Sequence, residues 1–290
     1  MIAPFENLSA SLSEHLNTSI QKIVPVGGGD INEAFKASDN QGEHFFIKSH
    51  PNPPPGFFQQ EAYGLSLLAQ ANCVAVPKVI SLVDRAELKC LILEWITPGR
   101  ATARTPVDFG ERLAQLHQTH GSTFGLDHDN YIGTLPQPND HQVTWAQFYG
   151  EQRLRPQLRL ADERRLLPSS LKANADALLM RLDELVGPAE PPTLIHGDLW
   201  GGNRLIDHNG GSWLIDPAAY YGHREVDLAM MRLFGGFDPR TFEVYDAVYP
   251  LSEGWRERIE LYQLYPMLVH LNLFGSTYLN SVKRIIDRYR

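Results

Sequence analysis

The stretch TLIHGDLWGGNRLIDHNGGSWLID, residues 193–216, decides how the rest of the chain is read. It sets His196, Asp198, Asn203 and Asp216 among glycines, between short apolar runs. TLIHG reads as an apolar run that ends in a turn. NRLID and SWLID read as short strands joined by HNGG, a strong turn signal. Closing that hairpin brings the loop of Asp198 and Asn203 to the end of the second strand, where Asp216 stands. A carboxylate, an amide oxygen and a second carboxylate then surround one small volume. Such hard oxygen donors suit Mg²⁺ and are poor for zinc. Three readings are open at this point: a hydrolase metal site with His196 and Asp198 as a ligand pair, a phosphate-transfer site, and a polar surface hairpin. The first lacks a second histidine cluster at ligand spacing, because His208 and His223 fall on turn-like segments.

The spacing favours phosphate transfer. Asp198 precedes Asn203 by five positions. The catalytic loop of protein kinases, H-R-D-x-x-x-x-N, separates its base from its metal-binding Asn by the same interval. Asp216 follows across the hairpin, where a kinase carries the Asp of D-F-G. Here the string is IDPAAYYG, without that Phe and Gly, and no A-P-E segment is visible. That departure is typical of small-molecule kinases rather than protein kinases.

Phosphoryl transfer needs a grip on the nucleotide, charge neutralisation and positioning. VGGGDINEAFKA (26–37) is a glycine turn between two strand-like runs, and such turns aim backbone N–H groups at phosphates. Gly27, Gly28 and Gly29 are its candidates. The acid Asp30 in the same turn has no evident role toward phosphate. EHFFIKSH (43–50) reads as a strand with Lys48 near its end, in reach of phosphate oxygens. FFQQEAYGLSLLAQ (57–70) has helical period and places Glu61 as an ion-pair partner for Lys48. VPKVISLVD and LKCLILEWI read as two further strands. The second ends at Glu94, Trp95 and Ile96, whose backbone offers hydrogen bonds to adenine. Each feature is ordinary alone; together they fall in the order a kinase requires.

Outward from these motifs, residues 8–20 read as a short helix with Leu8, Leu12 and Leu16 one turn apart. The composition changes at TPGRATARTP (97–106). Helical patterns dominate afterwards: Phe109, Leu113, Leu116 and His120 on one face, two or three helices over 145–186, and more over 224–234 and 254–287. The reading is a strand-rich lobe over 1–96, a hinge near 94–99, and a larger helical lobe over 97–290 that carries the catalytic loop and the acceptor site. A cleft between two lobes is a common ligand location.

Bulk properties exclude other classes. The 290 residues are 43% hydrophobic with 13 Phe, 11 Tyr and 5 Trp, enough for a sizeable core. The net charge of −8 argues against a nucleic-acid or membrane-surface binder. Two cysteines, Cys73 and Cys90, make no disulfide framework and fit a reducing cytoplasm. The N-terminus lacks a signal-peptide pattern, and no apolar run approaches the roughly 20 residues of a membrane span.

Taken together, GGGDIN, FFIK, EAYGL, LILEWI, LAQLH, FGLDHDNYIG, LIHGDLWGGN and IDPAAYYGHREVDLAM resemble the fructosamine kinase (ketosamine-3-kinase) family, within the aminoglycoside-phosphotransferase-like branch of the protein-kinase superfamily. The resemblance spans nearly the whole chain. HGDL with an Asn is shared across the branch, whereas Trp200 and DPAAYYGHREVDLAM are the specific parts. It implies an α+β, protein-kinase-like two-lobe fold: a small antiparallel-sheet N-lobe with one main helix and a mostly helical C-lobe. It implies an ATP- and Mg²⁺-dependent kinase that phosphorylates a sugar hydroxyl of a small glycated amine or a glycated protein side chain, a deglycation activity. Other acceptors of the same fold, such as an aminoglycoside, choline or a sugar, and a non-catalytic nucleotide-binding protein, are the alternatives. Carried over by position, Asp198 accepts or orients the hydroxyl proton, Asn203 and Asp216 hold Mg²⁺, and Lys48 with Glu61 and Gly27–Gly29 grip the phosphates. Asp227 anchors the catalytic-loop backbone. Trp200, His223 and Arg224 are expected at the acceptor, and residues 124–139 as a loop lining its pocket.

Overall fold

The computed structural model describes residues 4–27, 32–85 and 88–290. Helix α1 (Pro4–Leu16) leads into β1 (Ile20–Pro25), β2 (Glu33–Asp39) and β3 (His44–Ser49). Helix α2 (Phe57–Ala71) precedes β4 (Val79–Asp84) and β5 (Lys89–Glu94). The five strands form one antiparallel sheet in the order β1-β2-β3-β5-β4. The unbroken apolar run of β5 is explained by cover on both faces. Cys90 and Ile92 join Leu12 of α1, Phe35 and Ile47, while Leu91 and Leu93 join Phe57, Phe58 and Leu65 of α2. Side chains alternate between faces along a strand, so two helices on opposite sides demand apolar residues at every position.

The first helix has the expected length but lies four residues earlier than the 8–20 read from its leucine spacing. Asn17 turns into the left-handed region, φ 52°, and ends it. Ile20 then pairs with Asp39 as the start of β1.

Beyond Glu94 come α3 (Thr105–Leu116) and the hairpin β6 (Asn130–Ile132) and β7 (Leu135–Gln137). Helix α4 (Trp145–Phe148) runs through a π-helical stretch, Tyr149–Leu154, into α5 (Arg155–Glu163), followed by α6 (Ser169–Met180) and α7 (Leu182–Leu185). Four short strands follow: β8 (Thr193–Ile195), β9 (Arg204–Ile206), β10 (Ser212–Leu214) and β11 (Tyr220–Gly222). The chain closes with α8 (Glu225–Leu233), α9 (Pro239–Val248), α10 (Trp255–Phe274) and α11 (Leu279–Tyr289). Helix α10 is the core of this part. Leu261, Leu264, Leu268 and Leu271 are buried, and α8, α5 and α11 pack around it. A helix apolar on most of its circumference is a buried one. Among the described residues no helix is long and apolar enough to cross a membrane.

Two pairings position the site. β8 and β11 lie antiparallel, with Leu194 opposite Tyr221, and β9 and β10 form the hairpin, with Arg204 opposite Leu214. The turn of that hairpin is fixed by Asp207, whose carboxylate accepts the N–H groups of Asn209 and Gly211 and the indole N–H of Trp213.

Candidate active site

Residues 196–203 form the loop between β8 and β9, and Asp216 lies just past β10. The hairpin brings the two ends together: the Ile215 N–H donates to the Asn203 carbonyl at 3.0 Å. Asp216 itself is in the left-handed region, φ 55°, a conformation that Asp tolerates better than most side chains. His196 ties the loop to this segment. Its Nε2–H donates to the Ile215 carbonyl at 3.0 Å, and its Nδ1 accepts the Asp198 N–H at 3.3 Å. Burial holds this ring below the ordinary histidine range, so it is neutral. With both nitrogens engaged inside the protein it has no lone pair for a metal, which removes the hydrolase reading.

Asp227, on α8, lies beneath the loop. One carboxylate oxygen accepts the Gly197 N–H at 2.9 Å, and the other accepts the His196 N–H at 2.8 Å. His117 adds a contact of 3.2 Å through Nε2 and takes the Tyr245 hydroxyl on Nδ1. Burial would raise the Asp227 carboxyl, but the hydrogen bonds from His117 and His196 outweigh it and hold it below the carboxylate range. Gly197 has φ +82°, and a Cβ there would stand 2.2 Å from the Ala218 carbonyl oxygen, so only glycine fits this turn.

At the floor of the cleft the Asn203 amide N–H₂ donates to the Asp198 carbonyl at 2.9 Å and to its carboxylate at 3.0 Å. That geometry leaves the Asn203 amide oxygen as a donor atom toward a cation. Burial pushes the Asp198 carboxyl up to about 7; Asn203 opposes this, and the negative charges of Asp216 and Asp227 reinforce it. Lys48, from β3, reaches across to this part. Its ammonium is 2.7 Å from Glu61 on α2 and 2.8 Å from Asp216. Burial alone would lower the lysine, but Asp216 and Glu61 outweigh it and hold it fully charged. The Asn203 oxygen and the Asp216 carboxylate are hard oxygen donors with no thiolate or free imidazole beside them, a set that fits Mg²⁺.

These groups share one cleft of about 870 Å³. Gly27, Lys48, Glu61 and the segment Leu93–Ile96 line one end. Gly28, Gly29 and Asp30 lie outside the described residues. The Glu94 N–H is taken by the Lys78 carbonyl, and the Trp95 ring carries the Lys36 ammonium at 4.5 Å. At the other end stand Asn130–Gly133, Trp200, Phe234 and residues of α10. Trp200 is not core-packed: it is 38% exposed and meets Phe234 edge-on. The 124–139 segment contributes through β6. Its Asn130 oxygen is saturated by Gln137 and Asn139, which locks the hairpin against the cleft.

His223 and Arg224 are elsewhere, and the expectation that they meet the acceptor is corrected. They are 1% and 3% exposed and do not line the cleft. Pairing of β11 with β8 carries the chain away from Asp216 and under the helices. There Arg224 makes two hydrogen bonds to Glu190, at 2.7 and 2.8 Å, and caps the carbonyls of Tyr249 and Pro250. His223 stacks on Tyr262. The sequence reading missed four cleft residues: Phe234 just past α8, His270 and Phe274 on α10, and Tyr278 in the turn before α11. Their only signal is aromatic residues at helical spacing, which core helices share.

Residues 4–290 match the sequence profile of the family described as fructosamine kinase. The chain belongs to the fructosamine kinase family. It is 40% identical, over 94% of its length and 95% of the relative's, to a probable ketoamine kinase of Lactiplantibacillus plantarum. It is similar to a crystal structure from Thermobifida fusca, provisionally named a fructosamine-3-kinase, with TM-score 0.88 and 37% identity over 97% of both chains. The choline kinase of Streptococcus pneumoniae shares the fold at TM-score 0.61 and 16% identity, over 98% of this chain and 97% of that one. As a fructosamine kinase family member, the chain is an ATP-dependent phosphotransferase with an alcohol group as acceptor.

Proposed function

We propose that this fructosamine kinase family protein phosphorylates a sugar hydroxyl of ketosamines, and that Asp198, Asn203, Asp216 and Lys48 carry the transfer. The observation that supports this most is their convergence on one cleft from β3, the catalytic loop and the end of β10. The division falls after Ile96: adenine lies along Glu94–Ile96, using the Glu94 carbonyl and the Ile96 N–H, because the Glu94 N–H is already taken. Lys48 binds phosphate oxygens, held in place by Glu61, and the glycine turn beginning at Gly27 covers them. Asn203 and Asp216 hold Mg²⁺, which supplies charge neutralisation on the phosphates when bound.

Asp198 accepts the hydrogen bond of the acceptor hydroxyl and fixes its oxygen in line with the γ-phosphorus. The new O–P bond forms as the bond to the β–γ bridging oxygen breaks; the hydroxyl proton passes to Asp198, and ADP leaves. Its elevated pKa suits a group that must take up a proton near neutral pH. Trp200 forms a wall of the acceptor site. The phosphorylated adduct is unstable and leaves the amine, so the activity is a deglycation. We place it in the cytoplasm, where the two free thiols stay reduced.

The test is Mg²⁺-dependent ADP release with fructoselysine, ribuloselysine, free fructose, choline and kanamycin. Release with the ketosamines alone supports the reading. Release only with another acceptor keeps the phosphotransferase and overturns the substrate.

A further inference from the structure

The acceptor end of the cleft is walled by a continuous line of rings. Trp200, two residues from Asp198, meets Phe234 at 6.2 Å between ring centres. Phe234 meets His270 at 4.9 Å, and His270 meets both Phe274, at 5.5 Å, and Tyr278, at 5.1 Å. The line therefore runs from beside the reacting carboxylate outward to the rim. Met230, Val269 and Leu273 line the same cleft. Phe234 and Phe274 remain 43% and 51% exposed, so the wall is built but uncovered. Exposed apolar surface of this kind, continuous with a polar reacting centre, marks a ligand groove.

The wall carries no formal charge. Beyond Asp198, none of the described residues on this side of the cleft is Asp, Glu, Lys or Arg. Its histidine is neutral: burial holds His270 below the ordinary histidine range. The His270 Nδ1–H donates to the Pro266 carbonyl at 2.7 Å, which makes Nε2 a lone-pair acceptor toward the cleft-side ligand. A ketosamine with its sugar hydroxyl at Asp198 must project the amine and its substituent along this line. The ammonium of the ketosamine sits well against aromatic faces. A carboxylate farther along would find no cation to pair with on the wall.

We infer that the amine portion of the acceptor is an apolar, uncharged substituent held by the Trp200–Phe234–His270–Phe274 wall, rather than a free amino acid with its carboxylate. This rests on the ketosamine reading and names the substrate class for the same site. The test uses fructose- and ribulose-derived ketosamines of hexylamine and of 6-aminohexanoate. These two amines share a six-carbon chain and differ only in the terminal carboxylate. The wild-type protein is expected to favour the hexylamine adduct at least tenfold in kcat/KM, within the range that apolar pockets achieve, about 10–200-fold. Phe274→Ala narrows that ratio, and Phe274→Arg moves it toward the carboxylate adduct. Phe274 is half exposed, so both variants fold.

Equal turnover of the two adducts, or a preference for the carboxylate, overturns the inference. Turnover of fructoselysine without turnover of the hexylamine adduct overturns it while leaving the ketosamine reading intact. Silence with every ketosamine, fructoselysine included, overturns both.

Discussion

Lys48 and Asp216 stand 2.8 Å apart, a contact that joins the sheet to the end of the hairpin across the cleft. Glu61 holds the same ammonium from the other side at 2.7 Å. Lys48→Met leaves a buried Glu61 carboxylate without its partner. Removing one member of a buried ion pair costs about 3–5 kcal/mol, and the half exposure of Asp216 moderates this to the lower end. The expected outcome is a loss of about 3 kcal/mol in urea unfolding and a fall in kcat/KM of at least about 100-fold. A variant with normal nucleotide affinity and turnover contradicts the assignment of Lys48 to the phosphates.

Asp227 accepts two backbone N–H groups that have no other partner at hand. Asp227→Ala leaves both buried and unsatisfied, at about 1–3 kcal/mol each. Unfolding at neutral pH should reveal a loss of about 3 kcal/mol or more, with Asp227→Asn losing less because one acceptor oxygen remains. The pH sign follows from the depressed carboxyl. Its contribution is fully present above the unfolded value of 3.8 and is lost as pH falls through the lower folded value. Acid titration of Asp227→Asn should therefore show a shallower stability loss below pH of about 4. Parallel curves for variant and wild type would speak against the anchor.

His223 is buried and neutral, with burial holding it below its ordinary value despite Glu225 and Glu190; Arg224 and Arg258 press it the same way as burial. A folded value beneath the unfolded 6.5 means stability is complete above that pH and is lost as pH falls toward the folded value. The melting temperature should drop between pH 7 and pH 5.5, and His223→Gln should flatten part of that slope. Only part is affected, because His196 and His270 shift in the same direction. A slope unchanged by the substitution would place His223 outside this effect.

The hairpin 204–214 was legible because its signals are local: HNGG makes the turn, and the flanking strands have a single sensible register. Once it closes, the meeting of Asn203 and Asp216 follows. The sheet was legible for a similar reason, since β1, β2, β3 and β5 are each followed closely by Gly or Pro. The cover of that sheet on its second face by Leu12 was less so, because the helix expected over 8–20 ran past the point where Asn17 stops it.

The aromatic wall of the cleft was not legible. Phe234, His270, Phe274 and Tyr278 sit far along the chain from Trp200, on or next to helices α8 and α10 whose other faces are core, and nothing in their spacing separates groove from interior. His223 and Arg224 failed in the opposite way. Sequence nearness to Asp216 suggested contact, but a single strand, β11, reverses their direction, and their partner Glu190 lies in a proline-flanked break with no pattern to announce it.

The central claim is that Asp198 handles the acceptor hydroxyl and the groups around it handle Mg·ATP. Asp198→Asn separates the two. The measurement is the Mg·ATP dissociation constant by calorimetry together with kcat on a ketosamine, for wild type and variant. The expected result is an affinity within about twofold of wild type and a kcat lower by about 10²–10⁴, the span that general base catalysis supplies. Turnover close to wild type in Asp198→Asn would contradict the account.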